Sequence, residues 1–123
     1  MRKIIITFIL IFVALTINAQ TVVKTERGNW TATYYGNHYK TRRLMANGEV
    51  FNVNAMTCAA PKKFKFGTKL KITNLDNNKS VIVKVTDRGS FGNHVIDLTY
   101  GAFKKIEKEH SKGRIKIKVQ IVK

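Results

Sequence analysis

Alternation of apolar and polar residues is the clearest pattern along this chain. Near its end, residues 114–121 place Ile or Val at every second position, with Arg, Lys or Gln between them. A period of two predicts a half-buried strand, and the outer face of this one is expected to be basic. Residues 30–35 are β-branched and aromatic and stop at Gly36, which predicts a second strand.

A hairpin is predicted in the middle of the chain. Residues 68–74 alternate lysine with apolar side chains, residues 75–78 read Leu-Asp-Asn-Asn, and residues 79–86 resume a strand-like pattern. Two such segments joined by an Asp/Asn turn are typical of a β-hairpin. Residues 39–66 contain a glycine and the chain's one proline and follow no regular pattern, so we expect mostly loops there.

One short helix is predicted to follow residue 99. Thr99 is a suitable N-cap, and Ala102, Phe103 and Ile106 fall on one face of a helix that extends through Glu109. Short strands with one helix, in about a hundred residues, favour an all-β fold built as a small closed or nearly closed barrel. A three-stranded sheet packed against one helix is the alternative architecture.

The N-terminal residues have the features of a secretory signal. A basic start, Met1-Arg2-Lys3, precedes a mostly apolar run of 14 residues from Ile4 to Ile17, and Ala19 offers a cleavage point. A run of 14 residues is too short to span a bilayer as a helix. We therefore expect a signal peptide at 1–19 and one domain at 20–123 without a transmembrane segment. The product is expected in the periplasm or outside the cell. Because no Cys lies near the cleavage point, we do not expect a lipid anchor.

The charge of the chain narrows its expected partners. Lys and Arg number 23 against seven acidic residues, a formal net charge of +16 in 123 residues. Such a surface attracts anionic polymers over long distances. Outside the cytoplasm these are cell-wall strands, anionic envelope glycans or lipid head groups, and export argues against nucleic acid as a partner. We expect the domain to act as a monomer.

Side chains that bind metals or form disulfides are sparse. Cys58 is the one cysteine, so no internal disulfide can form, and its apolar neighbours predict a buried, inert thiol. His38, His94 and His110 lie far apart in the sequence and match no metal-ligand spacing. We expect no metal and no cofactor. His94, seven residues after Asp87, is a candidate to line the same cleft.

Two carboxylates are the strongest candidates for chemistry. Asp87 ends the strand predicted at 79–86, and Asp97 follows ten residues later. Two carboxylates can divide acid and base roles across a glycosidic bond. Glu49 is a third candidate. The structural alternative is that Asp87 pairs with Arg88 or another cation and that Asp97 caps the helix or accepts backbone N–H bonds.

Aromatic residues cluster in the first third of the predicted domain. The members are Trp30, Tyr34, Tyr35, Tyr39 and Phe51. Sugar rings stack their C–H faces on such side chains, and single-stranded nucleic acid uses the same combination of stacking and positive charge. Tyr34 and Tyr35 are candidates to line a glycan groove, because a tyrosine can bury its ring and leave its hydroxyl in water. Filling of the core is the alternative role, most of all for Trp30.

Seven short segments, taken together in this order, resemble one known family. They are Ala32-Thr33-Tyr34-Tyr35-Gly36, Ala46-Asn47-Gly48-Glu49-Val50-Phe51, Asn54-Ala55-Met56-Thr57, Phe66-Gly67-Thr68-Lys69-Leu70, Ile72-Thr73-Asn74-Leu75, Val83-Lys84-Val85-Thr86-Asp87-Arg88-Gly89 and Ile96-Asp97-Leu98-Thr99. The chain resembles the rare lipoprotein A family from about residue 30 to residue 122. The resemblance implies a six-stranded double-psi β-barrel with one short helix, related to the barrel of expansins.

The resemblance also implies a substrate and a reaction. Studied members are lytic transglycosylases, which cut peptidoglycan between N-acetylmuramic acid and N-acetylglucosamine and leave a 1,6-anhydro end. By motif, Asp87 is then the catalytic acid and Glu49 assists it, and similarity to expansins adds Asp97 as a polysaccharide-site residue. The acid must hold its proton near neutral pH, which requires burial or a nearby negative charge.

One departure from the family pattern bears on activity. Active members commonly carry a histidine where this chain has Ala60 or Pro61, and the usual proline after Asp-Arg-Gly is replaced by Ser90. A non-catalytic, expansin-like module that binds or loosens wall polysaccharide is therefore the alternative function. An exported protein that binds nucleic acid or anionic lipid through charge alone is a third class.

Overall fold

The computed structural model describes residues 20–89 and 92–123. The predicted signal at 1–19 and the Ser90 position lie outside these described residues. The described chain consists of seven strands, one α-helix and one short 3-10 turn. In order they are β1 (Val22–Thr25), β2 (Trp30–Tyr35), β3 (Thr57–Ala59), β4 (Lys69–Asn74), β5 (Ser80–Asp87), β6 (Val95–Thr99), α1 (Tyr100–Ile106), the 3-10 turn (His110–Lys112) and β7 (Ile115–Val122).

Six of the strands close into a barrel. Their order is β7-β2-β6-β3-β5-β4, and β4 pairs back onto β7 to complete the circle, while β1 adds to the edge of β7 beside β2. The pairs β2–β6 and β3–β5 are parallel and the remaining pairs are antiparallel. The closed, mixed barrel confirms the predicted all-β fold, and the three-stranded alternative is wrong.

The strands with strong local patterns were predicted well. β2 has the bounds expected from its composition, β4 and β5 form the predicted antiparallel hairpin, and β7 alternates buried and exposed residues over most of its length. At the hairpin turn Asn78 adopts a left-handed φ of 60°, a conformation that Asn tolerates better than most residues. Short-range alternation and turn chemistry therefore determine these elements.

Three strands were not predicted as such. β3 is three residues long, β1 has four exposed residues, and four of the five residues of β6 are buried without alternation. None of the three shows a period of two, because β1 is exposed along its whole length, β3 is too short, and β6 is buried on both faces over most of its length. The 39–66 region is otherwise largely irregular, as expected.

The helix begins as predicted and ends earlier. Thr99 is the N-cap, with its hydroxyl accepting from the backbone N–H of Ala102 at 3.1 Å. The predicted extension through Glu109 is wrong, because α1 ends at Ile106. The Ile106 carbonyl accepts from the side-chain amides of Asn74 and Asn77 at 2.8 and 2.9 Å, which replace helical partners. A separate 3-10 turn then begins at His110.

The apolar faces meet inside the barrel and under α1. Phe103 and Ile106 of the helix are fully buried, as are Leu70, Ile96 and other inward-facing residues of the strands. Cys58 is also fully buried, and burial raises the pKa of its thiol, in agreement with the expected inert role. No helix among residues 20–89 and 92–123 is long and apolar enough to cross a bilayer.

Candidate functional site

Asp87 lies at the end of β5 and is half-buried. Its Oδ2 accepts from the Tyr35 hydroxyl at 2.9 Å, and its Oδ1 accepts from the backbone N–H groups of Ala46 and Arg88, each at 2.9 Å. The Arg88 guanidinium turns away, donating to the Ala60 carbonyl at 3.3 Å. Among the described residues Asp87 forms no salt bridge, so the predicted alternative of a structural ion pair is not found there.

The barrel brings Asp87 and Asp97 to the same place. β3 lies between β5 and β6, and its Ala59 is paired with Asp87 on one side and with Asp97 on the other. On the far side of β6, Asp97 is paired with Thr33 of β2. Because residues paired across neighbouring strands lie about 5 Å apart, the two carboxylates flank one small alanine.

Asp97 occupies a more enclosed environment than Asp87. It is 5 % exposed, its Oδ1 accepts from the Thr33 hydroxyl, and its Oδ2 faces Gly89, where an added Cβ would lie 2.9 Å away. Burial raises the pKa of Asp97 to about 6, Arg114 opposes this rise and the charge of Asp87 adds to it. The helix cap is Thr99, so the suggested capping role of Asp97 is wrong.

The raised pKa predicts that Asp97→Asn stabilises the fold at alkaline pH. Folded Asp97 holds its proton more tightly than the unfolded chain, so its stabilising contribution is complete below pH 3.8 and is lost as pH rises through about 6. At pH 7.5 we expect Asp97→Asn to raise the free energy of unfolding by about 1–2 kcal/mol, a value reduced because solvent screens part of the interaction. At pH 4 we expect almost no change.

Urea denaturation at the two pH values measures this difference. Asp76→Asn, in the exposed turn between β4 and β5, is the control and should change stability by less than about 0.5 kcal/mol at both. An Asp97→Asn protein that is less stable than the parent at pH 7.5 would contradict the assigned protonation.

A small hairpin over residues 44–50 forms one rim of the site. Besides the Ala46 bond to Asp87, the Asn47 N–H donates to the Thr86 carbonyl at 3.1 Å. Glu49 lies on this hairpin with its side chain exposed, and its hydrogen bonds there run through its backbone. The fold therefore carries Glu49 to the rim, where its carboxylate faces solvent.

Tyr35 belongs to an aromatic cluster beside Asp87. Its ring lies 5.0 Å from that of Phe51 and 6.4 Å from that of Tyr39, and the Arg43 guanidinium covers Tyr39 at 4.4 Å. Burial, then the bond to Asp87, raise the pKa of Tyr35 well above its usual range, so the hydroxyl keeps the proton that it donates. Tyr39 is 40 % exposed and offers a stacking surface.

Two predicted groove residues lie elsewhere. Tyr34 points to the opposite face of β2, packs against Tyr100 and Phe103 of α1, and donates its hydroxyl to the His110 carbonyl at 2.9 Å. His94 is exposed, and its ring lies 4.8 Å from that of Trp30. Neither forms a hydrogen bond with Asp87, because Tyr34 faces the opposite side of β2 from Tyr35 and the His94 ring packs against Trp30.

Sequence reasoning missed part of the site. Thr33 and Tyr35 share one face of β2 because they are two residues apart, and that period was the available signal. Ala46 and Gly89 both belong to the segments that carry the family resemblance, but the bond from the Ala46 N–H to Asp87 and the close approach of Gly89 to Asp97 depend on how distant segments pack. Within 20–89 and 92–123, no group of three or more His, Cys, Asp or Glu side chains could hold a metal ion.

Ala60 and Pro61, where the resemblance places the family histidine, directly follow β3. Ala60 is buried, and its N–H donates to the Asp87 carbonyl at 3.1 Å. It therefore lies directly beside the candidate carboxylates, but it supplies only a methyl group.

Curated proteins with similar sequences point to one activity. A protein named "Probable endolytic peptidoglycan transglycosylase RlpA" from Synechocystis is 44 % identical over 108 residues, covering 87 % of this chain and 32 % of the relative. An endolytic peptidoglycan transglycosylase RlpA from Campylobacter jejuni is 38 % identical over 113 residues, covering 87 % of this chain and 40 % of the relative. An uncharacterized Synechocystis protein is 40 % identical over 89 residues, covering 72 % of this chain and 92 % of the relative. The chain thus spans about a third of the named enzymes' length.

Solved structures and a family model agree on the barrel. A Streptomyces papain inhibitor superposes with a TM-score of 0.64 at 19 % identity, covering 83 % of this chain and 97 % of that one. An expansin from Clavibacter michiganensis superposes with a TM-score of 0.63 at 20 % identity, covering 77 % of this chain and 50 % of the expansin. The family model described as "Lytic transglycolase" matches residues 25–119. This chain therefore belongs to the lytic transglycolase family of double-psi β-barrel proteins.

Proposed function

We propose that this protein is an endolytic peptidoglycan lytic transglycosylase that acts outside the cytoplasm. It cleaves the bond between N-acetylmuramic acid and N-acetylglucosamine and leaves a 1,6-anhydro end. The observation that carries the proposal is the pair Asp87 and Asp97 on either side of Ala59, held in different hydrogen-bond environments. The names of the RlpA relatives support the substrate and the reaction.

Asp97 is suited to supply the proton. Its pKa of about 6 leaves part of the population protonated near neutral pH, and its Oδ2 lies beside Gly89, whose missing Cβ leaves the space next to that oxygen unfilled. Proton transfer to the glycosidic oxygen lets the C1–O bond break, and the leaving sugar retains the bonding electrons. Positioned acids of this kind contribute about 10²–10⁴-fold to rate.

Asp87 is suited to accept a proton. Three donors face its oxygens, from Tyr35, Ala46 and Arg88, and they hold the carboxylate at the end of β5. In the second half of the reaction the C6 hydroxyl oxygen bonds to C1, and Asp87 removes the proton of that hydroxyl. The products are an anhydro sugar end and a free hydroxyl end, and no water is consumed. The family resemblance implies instead a single acid at Asp87, and comparison of the Asp87→Asn and Asp97→Asn variants distinguishes the two assignments.

The rim residues bind substrate. The aromatic cluster of Tyr35, Tyr39 and Phe51 offers ring faces for sugar stacking beside Asp87. Glu49, exposed on the 44–50 hairpin, assists by accepting hydrogen bonds from substrate hydroxyl or amide groups. We assign no role in cleavage to Tyr34 or His94, because their contacts are with α1 and Trp30.

The decisive experiment identifies the products. Purified wall glycan, with and without stem peptides, is incubated with the protein in ¹⁸O-labelled water and examined by mass spectrometry. We expect unlabelled 1,6-anhydro ends within the strands, since the attacking oxygen belongs to the sugar. Labelled reducing ends would instead show hydrolysis and contradict the proposed reaction.

A non-catalytic wall-binding module is the second candidate. The observation in its favour is that Ala60 and Pro61 stand where the resemblance places the histidine that active members of the family commonly carry. The same incubation separates the two candidates. Glycan binding without any anhydro product, on both forms of the substrate, would establish the module and exclude the enzyme.

A further inference from the structure

We propose that the outer surface of β5, β4 and β7 docks the carboxylate-bearing wall glycan and leads it to Asp87. This surface is called the lysine face, and its residues are Lys69, Lys71, Lys84, Lys116 and Lys118. The inference rests on the proposed function for the identity of the polymer. Its evidence is the register of the strands, the distribution of acids and the position of the face beside the site.

Strand register places the lysines together. Lys69 of β4 is directly opposite Lys84 of β5, and on the other side of β4 Lys118 of β7 is opposite Thr73. Lys71 lies two residues from Lys69, and Lys116 two residues from Lys118, so each pair shares a face. The residues between them, such as Leu70 and Val83, are buried in the barrel. Five ammonium groups therefore project from three neighbouring strands.

No acid of this chain neutralises the face. All seven acidic residues lie in the described ranges. Glu26 is bound to Lys63 at 2.6 Å and Glu107 to Lys112 at 3.1 Å. The other five are Glu49, Asp76, Asp87, Asp97 and Glu109, and among the described residues none forms a salt bridge with the lysine face. Lysines placed directly opposite each other repel, so an anion bound between them would reduce this electrostatic repulsion.

The lysine face runs into the rim of the site. Lys84 is exposed and lies two residues before Thr86 on β5, and the register against β3 shifts between these residues and Asp87. Thr86 is covered by the 44–50 hairpin, through its hydroxyl at 3.1 Å from Met45 Sδ and its carbonyl at 3.1 Å from Asn47 N. The same hairpin donates to Asp87. A polymer lying along the lysines therefore reaches the rim within one or two residue spacings.

Wall glycan fits this surface and the neighbouring site together. Each N-acetylmuramic acid carries a lactyl carboxylate, either free or extended by a peptide that ends in a carboxylate. The strand therefore presents anions at regular intervals along the same chain that holds the bond to be cleaved. An anionic membrane or a nucleic acid supplies negative charge without that bond, so the position of the face beside Asp87 favours glycan.

The test compares two triple variants of equal charge. Lys69→Gln/Lys84→Gln/Lys118→Gln removes three lysines from the face, and Lys104→Gln/Lys105→Gln/Lys108→Gln removes three exposed lysines on and after α1. Both are made in the Asp87→Asn background, so binding is measured without cleavage. We expect the first to lose about tenfold or more in affinity for peptide-free glycan at low salt and to show a shallower salt dependence. The control should lose less than about threefold.

Chemical neutralisation of the polymer provides the second arm. Glycan whose carboxylates are amidated should bind the Asp87→Asn protein about as weakly as intact glycan binds the lysine-face variant. Equal losses in the two triple variants would overturn the docking face, because they would show an effect of net charge alone. Undiminished binding of amidated glycan would also overturn it.

The remaining outcomes separate this proposal from its rivals. The Asp87→Asn protein could bind phosphatidylglycerol vesicles or DNA more tightly than glycan, with the same dependence on the lysine face. That result would contradict the proposal that wall glycan is the polymer bound there. Lysine-dependent glycan binding by this protein, without anhydro products from the parent, would support the docking face and overturn only the enzymatic proposal. Anhydro products from the parent without lysine-dependent binding would support the enzymatic proposal and overturn the docking face.

Discussion

Asp97→Asn and Asp87→Asn are each expected to lower the rate of anhydro-end formation by about 10²–10⁴-fold. Asp97→Asn removes the proton donor, and Asp87→Asn removes the group that accepts the C6 hydroxyl proton. Because burial raises the pKa of Asp97 to about 6 and the protonated form is the proposed donor, kcat/KM of the parent should fall as pH rises through that value. Initial rates across pH 4.5–8.5, measured by mass spectrometry, check both expectations.

Two comparisons keep this prediction specific. Glycan binding by both Asn variants should persist, and Asp76→Asn in the exposed β4–β5 turn should retain the parent rate. An Asp97→Asn protein with parental activity and an unchanged pH profile would show that Asp97 is not the acid. Asp87 alone would then perform both proton transfers, as the family resemblance implies.

Phe103→Ala is expected to lower the free energy of unfolding by about 3–5 kcal/mol. Phe103 is fully buried at the centre of α1, and its ring lies 4.8 Å from that of Tyr34. Removing the ring loses apolar burial and leaves a cavity between the helix and the barrel, which also carries Asp97 on the adjacent β6. Urea denaturation monitored by fluorescence measures the difference.

Lys104→Ala is the matched control on the same helix. Lys104 is the next residue and is exposed, so its replacement should change stability by less than about 0.5 kcal/mol. A loss below about 1.5 kcal/mol for Phe103→Ala would contradict the prediction. Such a result would mean that α1 collapses into the space or contributes little to the stability of the barrel.

Local patterns explain which strands were predictable. β2, β4, β5 and much of β7 have one face toward the core, so their residues alternate with the period of a strand. β3 is too short for a period, and β6 is buried over most of its length. The end of α1 was missed because the amides of Asn74 and Asn77, about thirty residues away in sequence, bind its last carbonyl.

The candidate carboxylates were predictable one at a time. Asp87 ends a strand before a glycine-containing loop, where functional groups are common. Asp97 follows in a second motif of the same family resemblance. The position of the two carboxylates on either side of Ala59 was not predictable, because it depends on β3 lying between β5 and β6. Tyr34 and Tyr35 looked equivalent in sequence, and the alternation of β2 sends only Tyr35 toward Asp87.

The amino-acid sequence by itself determined the basic surface, the burial of the one cysteine and the set of candidate acids, through residue type and patterns between neighbours along the chain. The strand patterns favoured a closed barrel over a three-stranded sheet, and the family resemblance implied its six-stranded double-psi form. Tertiary structure alone decided which acid is enclosed and which is held by three donors. Protonation and hydrogen bonding depend on groups that are distant in sequence and meet only when the barrel closes.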